Sequence, residues 1–181
     1  NQYISVNNNA LTAQFDIRLE NLLKDTSTFS VLAKKLSNQF SYSTRQKNSF
    51  SSLMNPLQRD VYDTNLVNII ESYRNSIAFN RFSRAFGVEW INSNSIAKGI
   101  QANGFEMVRV KSNQIIVWIG IASGYSLRIN YLEDMKIQES EFFQQRSFNI
   151  KRSTPAIMLR YTGLLGFNAE VGYEYEYANS T

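Results

Sequence analysis

The sequence contains neither cysteine nor histidine in its 181 residues. Without cysteine there is no disulfide, no thiolate metal site and no thiol nucleophile. Without histidine, Ser-His-Asp and Cys-His catalysis cannot be assembled, and zinc loses its usual nitrogen and sulfur ligands. Chemistry is left to carboxylates, lysine, tyrosine or an oxygen-bound metal, and the chain reads as non-enzymatic. Charge is also sparse. Lys and Arg number 19 against 15 Asp and Glu, a net +4, and most of the polarity comes from Asn, Ser, Gln and Thr. So small an excess is compatible with nucleic acid but equally with an ordinary surface. Long apolar runs are missing too. The most apolar stretch, "IIVWIGIA" (Ile115 to Ala122), is far short of the roughly 20 residues of a spanning helix, so no membrane span is expected. No leader peptide is visible. The chain begins at Asn1 rather than Met, which reads as an excerpt or a processed form.

The length suits a single domain over 1–181, with 1–9 as an extended arm, a mainly helical part at 10–103 and a mainly antiparallel β part at 104–178. Leu11, Phe15, Ile17, Leu19, Leu22 and Leu23 recur near helical spacing, which predicts a helix over 10–24. Phe29, Leu32, Ala33, Leu36 and Phe40 predict a second. A third runs from Pro56 to Gly87, with Ile70 and Ile77 expected on its core face, and a shorter helical piece follows around Ile91 to Ala102. From Gly104 the period changes to two. "KSNQ" and "ASGY" are read as turns dividing a meander. A small helix is expected in "EDMKIQESEFFQQ", and two more strands in "SFNIKRSTPAIMLRY" and "LGFNAEVGYEYEY". Helices first and strands later predict an α+β fold, with N-terminal helices on an antiparallel sheet of about five strands.

Three constellations are candidate sites. In the terminal "GYEYEY", alternation puts Tyr173, Tyr175 and Tyr177 on one face of a strand and Glu174 and Glu176 on the other. Two carboxylates about 7 Å apart along a strand lie within the range used by inverting glycosidases, which makes a carboxylate hydrolase one alternative. Broad tyrosine rings backed by glutamates fit an interface strand better. In "AFNRFSRAF", Arg81 and Arg84 beside Phe82 combine stacking surface with phosphate-binding charge. A non-specific nucleic-acid module is therefore a second alternative, against the simpler reading of a core-facing helix with snorkelling arginines. Glu133, Asp134, Glu139 and Glu141 offer oxygen ligands, but their spacing matches no calcium loop and reads as solvated charge. The glycines around Gly163 mark a turn, not a dinucleotide fingerprint.

The expectation from sequence is a structural or assembly subunit of a larger homo- or hetero-oligomer, of the kind found in virus or phage particles or secretion machines. Its expected partners are copies of itself and other subunits of that assembly, its expected setting an assembled particle such as a virion, and no cofactor is expected.

Overall fold

The computed structural model describes residues 7–18, 31, 33–48, 66–101, 104–163 and 168–180. They form one sheet of nine strands: β1 (Asn7–Arg18), β2 (Leu36–Asn48), β3 (Leu66–Phe79), β4 (Phe86–Gln101), β5 (Gly104–Ala122), β6 (Tyr125–Ser140), β7 (Phe148–Thr162), β8 (Asn168–Glu174) and β9 (Tyr177–Ser180). Strands β1 to β8 lie side by side in chain order, every neighbour antiparallel, and β9 pairs with β7 beyond the end of β8.

The α+β expectation is therefore overturned. Helical backbone among the described residues is confined to Val31 and Ala33 and to one 3-10 turn at Gln144–Arg146. The described parts of the four predicted helices fall mainly within β1, β2, β3 and β4; residues 19–30, 32, 49–65 and 102–103 lie outside the described residues. The error has a physical source. Ile69, Tyr73 and Ile77 are spaced by four, which is close to one helical turn and also two strand repeats. The intervening residues decide between them. In β1, Leu11, Ala13, Phe15 and Ile17 alternate with Thr12, Gln14, Asp16 and Arg18, a strict period of two that a helix would scatter around its axis.

The antiparallel meander after Gly104 is present, with longer strands than expected. β5 runs straight through "KSNQ" as 19 residues, about 60 Å of chain. β6 continues through the predicted small helix as far as Ser140. The β5–β6 turn is as tight as the sequence implied: Gly124 takes a φ of +85°, open to glycine without strain.

Pro155 explains why the last strand is written as two. Its carbonyl accepts from Tyr175 N at 3.0 Å, so its nitrogen points to the same side, and proline has no N–H to donate there. The ladder breaks at Tyr175 and Glu176 but keeps register, because Glu174 opposes Ala156 and Tyr177 opposes Ser153.

Candidate functional site

Register assigns every strand residue to one of two faces, since cross-strand partners share a face and neighbours along a strand alternate. On one face, Phe79, Val88, Val117, Ile129, Ile157 and Tyr173 form a single row across six strands. The next row towards the β5–β6 turn is Phe86, Ile119, Leu127, Leu159 and Val171. The row on the other side is Ile77, Trp90, Ile115, Tyr131 and Pro155. Most of these side chains are open to the surroundings; Ile157, for example, is 47% exposed.

This apolar band has sharp, aromatic margins. Tyr125 and Tyr161 close it at one end, their rings 4.7 Å apart. Trp90 and Tyr131 stand at the other end, and across β3 to β7 the following row is polar: Asn75, Asn92, Asn113, Glu133 and Ser153. Asn92 donates to Asn113 at 2.6 Å within that row. From Tyr125 to Tyr131 the band covers about 20 Å of strand.

The band also crosses the sheet obliquely. On β1 the apolar run is Leu11–Ile17, with Gln14 at its middle; on β7 it is Pro155–Tyr161, with Met158 at its middle. Gln14 is in register with Arg152 of β7, six residues before Met158. A drift of about 20 Å across six strand spacings of about 4.8 Å means strands inclined by about 35° to the normal of the band.

The opposite face mixes small and polar groups with a few large apolar ones, Ile91 and Ile116 being buried there at 6% and 5% exposure. Ser76 and Ala78 on β3 are 3% and 1% exposed. Arg81 donates to Glu89 at 2.7 Å and also to Ser76, whose hydroxyl bonds the same carboxylate. Gln114 donates to Asn130 at 2.8 Å. Arg152 grips buried Asp134 with Nε and Nη2, each at 2.9 Å. Arg128 and Arg160 face a groove of about 280 Å³ that Glu89, Trp118 and Glu170 also line.

The residues singled out from sequence fall as follows. Tyr173, Tyr175 and Tyr177 lie on the apolar face, all more than half exposed. Glu174 and Glu176 lie on the polar face, where Glu176 approaches Arg152 at 3.6 Å. Arg81, Phe82 and Arg84 are not on a helix but in the β3–β4 turn, so the core-facing-helix reading of this segment is corrected as well. Arg81 turns to the polar face, and Phe82 is 71% exposed beneath the Arg18 guanidinium, 5.0 Å from its ring centre. The acidic residues are dispersed: Glu133 and Glu139 on one face of β6, Asp134 on the other, Glu141 in the following turn. No group of three possible metal ligands occurs among the described residues. Ile70 and Ile77, expected in a core, are 50% and 40% exposed, and Ile69, immediately before Ile70, is the fully buried large side chain among the described residues.

Chemically, the polar face neutralises most of its carboxylates with arginine, an arrangement suited to holding structure or screening a polar interior. The apolar face offers only contact. Sequence reasoning missed the band because it lies across strands, and only the register brings its members together. No helix among the described residues is long and apolar enough to cross a membrane, which leaves strands unaddressed. No protein family, no characterised protein and no solved structure matches the chain.

Proposed function

We propose that this chain forms part of the wall of a membrane-spanning β-barrel, its apolar face towards lipid and its polar face towards the interior. The structural, non-enzymatic role expected from composition takes this form. The single observation that carries it is the inversion of the sheet: rows of Ile, Leu, Val and aromatic side chains are exposed while Ser76, Ala78 and the Arg81–Glu89 pair are enclosed. A water-soluble sheet has the reverse pattern.

Three further features agree. Aromatic residues fringe the band at both margins, as they do where rings sit at the level of lipid headgroups. Measured perpendicular to the band along strands so inclined, its height is about 16 Å, against roughly 25 Å for outward-facing apolar bands in barrels. The inclination of about 35° matches the tilt that closure imposes on strands. A meander with alternating faces is also one of the few folds that satisfies every backbone group within hydrocarbon, provided its edges are paired. In this reading the outer edges of β1 and β8 are completed by pairing with each other or with further strands.

The sequence contains only two tryptophans, and they fall on opposite faces. Trp90 is on the apolar band. Trp118 is on the polar face, its indole N–H donating to Ser83 O at 2.8 Å. The Trp118→Phe and Trp90→Phe variants therefore give one probe per face. In vesicles of lipids brominated along the acyl chain, the fluorescence of Trp90 is expected to be quenched and that of Trp118 spared. Equal quenching of both, or of neither, defeats the proposal. A soluble oligomer that buries Trp90 without lipid would return the chain to the class of assembly subunits.

A further inference from the structure

The groove of about 280 Å³ on the polar face is lined by three arginines and two glutamates, and both acids are already engaged. Glu89 accepts from Arg81 at 2.7 Å and also from Ser76. Glu170 lies 4.0 Å from Arg160. Those pairs account for two of the arginines. Arg128 is left over: among the described residues, no hydrogen bond or ion pair reaches its exposed guanidinium.

The register explains why. Trp118 and Met158 stand opposite Arg128 on β5 and β7, and Ser126 and Asn130 flank it along β6. Its diagonal positions hold Arg160 and otherwise uncharged residues. No carboxylate is therefore a neighbour on this face, and the nearest charge by register is a second cation. Like charges side by side on a sheet are unfavourable, and a concave site with one cation in excess draws an anion.

A second observation is independent of charge and selects the kind of anion. Trp118 lines the groove as a wall fixed in advance. Its indole N–H already donates to Ser83 O at 2.8 Å, and its ring fills the space above Gly87. With its one donor engaged, the ring offers the groove an apolar surface. Ile116 and Met158 extend that surface. The volume lies just below the roughly 300–1,000 Å³ of pockets for drug-sized ligands, so the ligand is small.

We infer that this groove binds a small organic carboxylate with a flat apolar body. Arg128 takes the carboxylate in its fork, and Trp118, Ile116 and Met158 lie against the apolar body. The groove opens on the polar face, so such an anion is a solute held in the barrel interior. That location rests on the membrane reading; the binding rests on the groove alone.

The test uses the full chain carrying Trp90→Phe, in neutral detergent micelles, so that Trp118 is its one indole. Benzoate, benzyl alcohol and acetate are titrated at neutral pH while indole fluorescence is followed. Benzoate is expected to bind more tightly than either of the others by about tenfold or more, equivalent to about 1.4 kcal/mol. Arg128→Gln should reduce benzoate to the level of benzyl alcohol, and Arg128→Lys should fall between. Arg45→Gln, a cation of the same face outside this groove, should bind like the parent. The Trp118→Phe chain, which keeps Trp90 on the apolar face, should give no signal. Equal affinity for benzoate and benzyl alcohol overturns the inference, and that comparison on the parent chain decides even where Arg128→Gln does not fold. Acetate binding as tightly as benzoate also overturns it, as does an equal benzoate response from Trp90, which would mean solution in the micelle. Benzoate bound at Trp118 with no quenching of Trp90 by brominated lipid keeps the site and removes the barrel; quenching without benzoate preference removes only the site.

Discussion

The Trp118 indole fills the space that a side chain at Gly87 would need, on the polar face where the two residues are register partners of β4 and β5. A Cβ added to Gly87 would collide with the indole ring and stand 2.9 Å from Asn80 O. Gly87→Ala is therefore expected to destabilise the protein by about 1–3 kcal/mol, the usual cost of overpacking. The same change made in a Trp118→Val background should cost less, because the colliding ring is gone. Denaturation midpoints of the four proteins in one cycle measure this; equal costs in both backgrounds would show that the indole is not the obstacle.

Ile69 and Ile70 are adjacent in sequence and opposite in environment, 0% and 50% exposed. Ile69→Ala should cost about 2–5 kcal/mol as a buried truncation. Ile70→Ala should change the unfolding midpoint little, within about 0.5 kcal/mol. Ile69 shares its face with Ile77 by register, so this face is covered at the start of β3 and open at its end; a larger loss from Ile70 than from Ile69 would contradict that local burial.

Ile157 and Met158 pose the corresponding question on β7. Ile157 stands in the apolar band, whereas Met158 lines the polar groove beside Arg128 and Arg160. Ile157→Arg is expected to weaken insertion into vesicles by about 2–4 kcal/mol, the cost of a cation near the bilayer midplane. Met158→Gln should insert like the parent chain. Insertion is measured by the protease-resistant fraction after mixing with vesicles, and a greater loss for Met158→Gln would contradict the assignment of faces.

Arg152 is the forked partner of Asp134, whose carboxylate is 9% exposed. Arg152→Leu strands that carboxylate and should cost about 1–3 kcal/mol. Arg152→Lys keeps the charge but not the fork and should fall between. Identical unfolding curves for the leucine variant and the parent would show that Asp134 finds another partner.

How much of this was legible beforehand depends on distance along the chain. The tyrosine and glutamate alternation of the last strand could be read directly, because a period of two is local. So could the turn at Gly124 and the antiparallel meander from Gly104 onward, but not the strand lengths: β5 runs through the expected turn at "KSNQ" and β6 through most of the expected small helix. Residues such as Ile69, Tyr73 and Ile77 could not be assigned, since a spacing of four serves a helix and a strand alike and the charged residues between them suited an exposed helical face. The apolar band was beyond reach for another reason. Phe79, Val88, Val117, Ile129 and Ile157 lie far apart along the chain and meet only through four pairings whose register the sequence does not state. The surroundings of the β3–β4 turn were half visible: Arg81 and Phe82 stood out, but Arg18, Leu36 and Ser37 join them only when β1, β2 and that turn end side by side.

Because strands β1 to β8 follow one another across the sheet in chain order, no strand waits for a distant partner. Each new strand pairs with the one before it, across connections of 17 residues at β1–β2 and β2–β3 and of seven or fewer from β3 to β8, so the entropy of bringing the ends together stays modest. The sheet can therefore grow as a zipper, from one edge to the other, with a single unpaired edge at its front. In the proposed barrel wall, such an order of assembly limits the exposed hydrogen-bonding groups at any moment to those of the growing front and of the outer edge of β1.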